Sequence, residues 1–168
     1  LSLVIRSTAQ TSFALFMSAF VASPLVKLWP GGFTRWLRAN RRYLGVSFAA
    51  SHTFHVLAIT ALAVYTSGGS IRDRDAFELA AGALGYVFIY AMAITSFDRT
   101  ARWLGARGWK TLHTIGAYYI WVVFMFSYGG RAYFMASYRP AALALVAAVV
   151  LRVTASRARK VSVKAKAA

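Results

Sequence analysis

The placement of charge along this chain limits its fold more than any other feature. Long runs without Asp, Glu, Lys or Arg alternate with short blocks of basic residues. Twenty such uncharged residues separate Arg6 from Lys27, with Pro24 near the end, and another twenty separate Lys110 from Arg131. Between them lie the apolar runs Tyr43 to Thr66 and Leu79 to Ser96, the latter bounded by Glu78 and Asp98. At 1.5 Å per helical residue, about twenty residues cross a hydrocarbon core of ~30 Å. A fifth run, Pro140 to Leu151, has only twelve residues between Arg139 and Arg152. Proline suits the first turn of a helix and flanking arginines can snorkel, so this run reads as a short span, with an interfacial helix as the alternative. The expected fold is an all-α integral membrane protein, a bundle of about five transmembrane helices over residues 1–153. A basic, alanine-rich, disordered tail is expected over 154–168.

The basic blocks also orient the chain. Lys27, Arg35, Arg38, Arg41 and Arg42 fall in one connection, and Arg99, Arg102, Arg107 and Lys110 in another. Arg152, Arg157, Arg159, Lys160, Lys164 and Lys166 fall in the tail, so these three segments hold fifteen of the twenty cations. The other side carries Arg6, Arg72, Arg74, Arg131 and Arg139 together with Asp73, Asp75 and Glu78. Five alternating crossings put all three rich segments on one face, which the positive-inside rule makes cytoplasmic. The expected location is the bacterial inner membrane, multi-pass, with a cytoplasmic C-terminus. No signal peptide with a cleavage site is evident. A first residue other than methionine suggests that some N-terminal sequence is missing.

A net charge of +16 would suggest nucleic acid in a soluble protein, but here the cations flank apolar runs and no soluble basic domain exists to use them. Orientation and anionic lipid account for them, so the lipid bilayer is an expected partner and nucleic acid is not. The absence of cysteine excludes disulfides, thiol catalysis and cysteine-held iron–sulfur clusters. There is no glycine-rich dinucleotide loop and no Walker sequence. Gly82 and Gly85 in the third run read as small-residue helix packing.

The residues able to carry chemistry are three histidines. His52 and His55 lie one turn apart in RRYLGVSFAASHTFHVLAIT, and His113 lies in WKTLHTIGAYYIWVVF. A polar group inside a membrane helix is costly without a partner. A neutral imidazole there either hydrogen-bonds a neighbour or ligates a metal, and facing helices that each offer one can hold a b-type haem between them. His55 lies about 18 Å into its helix and His113 about 5 Å into its own, both entering from the same face. That ~13 Å difference in depth argues against one haem bound by both. Arg41 and Arg42 are candidates for propionate or quinone contacts, with topology the commoner use of such arginines. The aromatics Trp29, Trp36, Tyr43, Trp103 and Trp109 fall near the expected interfaces, where amphipathic rings settle. Asp98 beside Arg99 reads as a surface pair.

Two segments, SPLVKLWPGGFTRWLRANRRYLGVSFAASHTFHVLAI and AITSFDRTARWLGARGWKTLHTIGAYYIWVVF, resemble the ferric-reductase-like transmembrane family over roughly residues 7 to 130. Within that family they look closest to the haem-binding membrane subunits of bacterial periplasmic methionine-sulfoxide reductase systems. The resemblance implies a helical bundle whose histidines hold haem b and pass electrons across the membrane from quinol or a flavoprotein. It makes the chain at most the electron-transfer subunit of an oxidoreductase, with other membrane or periplasmic subunits as partners. By position, His55 matches the embedded haem ligand and His113 the first histidine of the later helix. The second histidine of that later helix corresponds to Phe126, and the histidine ahead of the LG phrase in two-haem members corresponds to Arg41. His52 is an addition to the pattern and a candidate substitute ligand. Met125 beside Phe126 faces about 100° away around a helix. These departures leave a second reading, a haem-less structural or assembly subunit of a larger membrane complex. In a pigment complex, a histidine of that subunit would contact a chlorophyll-type magnesium.

Overall fold

A computed structural model describes residues 2–66 and 76–167, with side chains for 3–66 and 76–158. Arg72, Asp73, Arg74 and Asp75, assigned above to the acid-bearing connection, lie outside the described residues. Every regular element among the described residues is helical. In chain order these are α1 (Ser2–Leu28), α2 (Gly32–Ala39), α3 (Arg41–Tyr65), α4 (Ala76–Ile94) and α5 (Asp98–Phe124). A π-helical turn (Met125–Gly129), α6 (Gly130–Phe134), a 3-10 turn (Ala136–Tyr138) and α7 (Arg139–Ala167) follow.

Four segments are long and apolar enough to cross a membrane: Leu3–Leu28, Arg41–Tyr65, Ala76–Ile94 and Ala136–Ala158. In each, no more than 28% of the most apolar window is buried within the protein, so the remaining apolar surface needs a non-aqueous surrounding. The chain is therefore a multi-pass membrane protein. Two features differ from the sequence-based expectation. The short fifth run belongs to a helix long enough to span, because residues on both sides of Pro140–Leu151 continue it. By contrast, the 111–130 run is split between two elements. Its first part, with Thr111, His113 and Thr114, belongs to the more polar α5, and Met125–Gly129 forms the π turn. The backbone of α7 also stays helical through residue 167, past the tail boundary drawn at 154. Alanine, arginine and lysine are strong helix formers, and the same composition describes an exposed helix and a disordered tail equally well.

The described chain divides into two compact units. The first comprises residues 1–15 and 45–123. Here α3 and α4 meet through Tyr86, whose hydroxyl donates to the His52 carbonyl at 3.2 Å, and through Thr53 and Tyr90, whose hydroxyls lie 3.1 Å apart. Helices α4 and α5 approach most closely at Gly116. A Cβ there would sit 2.8 Å from Met92 Sδ and 3.2 Å from Phe88 Cδ1. Gly85 makes ordinary contact with Tyr119 and Ile120, whereas Gly82 has open space around it. So the packing role expected of both falls to Gly85 and, more tightly, to Gly116. Within α5, Gly105 takes φ +72° and ψ 160°, a conformation that only glycine adopts without strain. It turns a polar first segment into the segment that carries His113.

The second unit comprises residues 16–44 and 124–168. Its core is Phe16, Phe20, Ala22, Leu37, Phe124, Leu145 and Ala148. The Phe16 ring lies 5.3 Å from that of Phe20 and 5.2 Å from that of Phe124. α2 opens where the Thr34 hydroxyl accepts from the Gly31 N–H at 2.9 Å and donates to the Trp29 carbonyl at 2.8 Å. It buries Leu37 and exposes Phe33 and Trp36, whose rings stack at 6.3 Å.

Candidate functional site

All three histidines belong to the first unit. His55 reaches from α3 to α1, where its Nδ1 lies 3.1 Å from the Thr8 hydroxyl. That hydroxyl has a single proton, directed to the Val4 carbonyl at 2.7 Å, the usual back-bond of a helical threonine. That back-bond favours Nδ1 as the donor, and in this tautomer the Nε2 of neutral His55 carries the lone pair. A histidine that ligates a metal is held in this way, its other N–H given to a neighbouring acceptor that fixes tautomer and ring orientation. One turn further along the same helices, Ser12 and Ser51 share a hydrogen bond of 2.9 Å, with Ser12 fully buried. Beside them lies an open groove of about 370 Å³ lined by Ser7, Thr8, Thr11, Ser51 and Phe54.

His113 is used in the opposite sense. Its Nε2 lies 3.0 Å from the Thr95 hydroxyl, whose own proton goes to the Ala91 carbonyl at 2.7 Å. By the same argument Nε2 is favoured as the donor, and the outer ring nitrogen is committed to the end of α4. Trp109, one turn earlier on α5, stacks on the His113 ring at 4.2 Å and donates its indole N–H to the Thr95 carbonyl at 2.9 Å. The pair thus grips Thr95 by hydroxyl and carbonyl together.

His52 sits within an aromatic stack, with ring centroids 5.3 Å from Phe48, 5.3 Å from His55 and 5.2 Å from Tyr86. The His52 and His55 rings lie stacked on each other from successive turns of one helix, so they do not face each other across a gap. As placed, these two imidazoles cannot sandwich one haem. Nor do His52 and His113 meet, because their contacts on α4 (Tyr86 and Thr95) are nine residues apart, ~13 Å along a helix. Phe126 lies in the π turn and is 80% exposed, while the Met125 side chain packs back toward Gly129.

For a haem held by one imidazole on each face, the residues present fit at one face, through His55. The partners that decide these roles, Thr8 and Thr95, escape sequence reasoning because a threonine in an apolar helix looks like filler. Trp109, read from sequence only as an interfacial ring, stands one helical turn from His113, the spacing that lets the two rings meet.

A family model described as ferric reductase like transmembrane component matches residues 5–126. The chain belongs to this family. The matched region contains all three histidines, Thr8, Thr95 and Gly105, so the site just described lies within the shared domain and suggests a membrane electron-transfer role. No curated protein and no solved structure matches the chain.

Proposed function

We propose that the protein is a membrane-embedded electron-transfer subunit that binds haem b through His55. The observation that carries the reading is the Thr8–His55 bond, which presents Nε2 as a lone-pair donor inside a domain of the ferric-reductase-like family. When bound, haem would supply one-electron transfer through its iron. The chain's own part is to hold the imidazole in one tautomer, to keep water away with the Phe48–His52–Tyr86 stack, and to anchor α3 to α4. Quinol is the proposed electron source, since the groove lined by Ser7, Thr8, Thr11 and Ser51 offers hydroxyls to a polar head group. A haem-binding subunit of a bacterial methionine-sulfoxide reductase system remains the closest specific role, with a periplasmic partner as acceptor. The proposed topology has five crossings, α5 with the π turn and α6 supplying the additional one, and a C-terminus in the cytoplasm of a bacterial inner membrane.

A second reading is supported by His113. Its Nε2 proton is spent on Thr95 and its ring lies flat on Trp109, an arrangement suited to packing rather than ligation. On that reading the chain is a haem-less structural or assembly subunit, with or without a pigment contact. A pyridine haemochrome spectrum of the purified chain separates the two. A b-type spectrum supports the first reading, and its absence overturns it.

A further inference from the structure

Pro24 leaves a defect in α1. It has no N–H, so the carbonyl four residues earlier, that of Phe20, loses its helical donor. Arg152 of α7 replaces it, with Nη1 at 2.9 Å from the Phe20 oxygen and the guanidinium carbon 4.2 Å from the Phe20 ring centroid. The adjacent Ala19 carbonyl accepts from Arg41 Nε at 3.1 Å, and Arg41 Nη1 lies 3.4 Å from the Ser23 hydroxyl. Two cations therefore converge on neighbouring carbonyls, all within the second unit, and the charges acting on Arg41 are those of Arg152 and then Arg38.

Neutral acceptors satisfy these donors without cancelling their charge. The residues of this unit include thirteen lysines and arginines and no Asp or Glu, because all four acids of the chain fall between residues 45 and 123. Like charges brought together in partly buried surroundings repel, so an anion held at this cluster would be stabilised. The neighbouring α2 indicates its source. Trp29, Phe33 and Trp36 are 62%, 70% and 55% exposed beside exposed Arg35 and Arg38, the mixture of rings and cations that settles at head-group depth.

We propose that Arg41 and Arg152, assisted by Arg38, bind the phosphate of an anionic phospholipid in the leaflet at the Lys27 end of α1. A guanidinium is a planar fork of donors that matches phosphate oxygens, and carbonyl contacts that fix one edge leave the group oriented for a second acceptor. The site does not rest on the proposed haem binding through His55, although Arg41 is also the sequence candidate for propionate or quinone contacts named above.

The test titrates the purified full chain in neutral detergent with phosphatidylglycerol, phosphatidylcholine or inorganic phosphate. It is run at about 1 M salt, where screening over ~3 Å suppresses diffuse attraction to the tail. Phosphatidylglycerol is expected to raise the melting temperature, and the other two are not. Arg41→Gln and Arg152→Gln should each weaken the lipid effect at least roughly fivefold, while Arg157→Gln should leave it intact. An equal response to phosphatidylcholine, an equal response to inorganic phosphate, or an equal loss in Arg157→Gln overturns the proposal. Should Arg152→Gln fail to fold for want of a donor to Phe20, native mass spectrometry of the unaltered chain decides. Preferential retention of phosphatidylglycerol over phosphatidylcholine sustains the site, and equal retention of the two removes it.

Discussion

His55 and His113 are each hydrogen-bonded to a threonine of a neighbouring helix, at 3.1 and 3.0 Å, yet the two bonds give opposite chemistry. Thr8 meets the inner nitrogen of His55, and Thr95 meets the outer nitrogen of His113. Each threonine hydroxyl also lies within hydrogen-bond distance of a carbonyl of its own helix, which favours the imidazole as donor in both cases. One histidine is left with its lone pair at the ring tip, and the other has its ring tip closed by a proton. Residue type alone does not separate a ligand from a strut inside a membrane domain. The nitrogen that meets the neighbour does.

The largest effect expected of this contrast is on haem content. His55→Ala should abolish a b-type spectrum, a loss beyond the roughly 10–100-fold typical of removing a ligand's supporting partner. His113→Ala should leave the spectrum in place, and His52→Ala should lower it less than His55→Ala does. Equal losses at His55 and His113, measured as haem per protein, would break the contrast. Thr95→Val comes next. It withdraws the acceptor of the His113 N–H and should cost about 1–3 kcal/mol of stability in thermal unfolding, without changing haem occupancy. An unchanged melting temperature would show that the His113 grip contributes nothing.

Thr8→Val sharpens the other half of the comparison. It should weaken haem binding by roughly tenfold through loss of tautomer control, with His55 still present. Undiminished affinity would mean that Thr8 does not orient the ligand. The smallest effect is expected at Thr53→Val, which removes a hydroxyl contact to Tyr90 away from both ring tips. A cost near 0.6 kcal/mol is usual for such bonds between membrane helices. A change in haem content there would extend the site beyond His55 and Thr8.

Much of the fold was legible because hydrocarbon crossing demands apolar length. The runs bounded by Arg6, Lys27, Glu78 and Asp98 became α1 and α4 with small shifts at their ends. Pro140–Leu151 was read as a short span and a span is found there, longer at both ends as Ala136–Ala158, because snorkelling arginines such as Arg152 can lie inside a span and hide its length from a charge count. The break at Gly105 and the π turn at Met125–Gly129 could not be read from periodicity, since both are local backbone choices settled by packing. The candidate site was half legible. His55 stood out as a polar residue deep in an apolar helix, and the ~13 Å offset from His113 followed from helical rise alone. The roles of the two rings could not be read, because they depend on threonines 47 and 18 residues away in sequence.

The proline in α1 also has a consequence in time. The bond that repairs its missing contact joins Arg152 to Phe20, 132 residues apart. During synthesis α1 precedes α7, so the Phe20 carbonyl meets this donor only after α7 has been made. A chain cut short before α7 would carry an open polar group into the lipid, where each such group costs several kcal/mol. Helix α7 thus completes α1 across 132 residues, and its removal is expected to destabilise α1 as well as the packing around it.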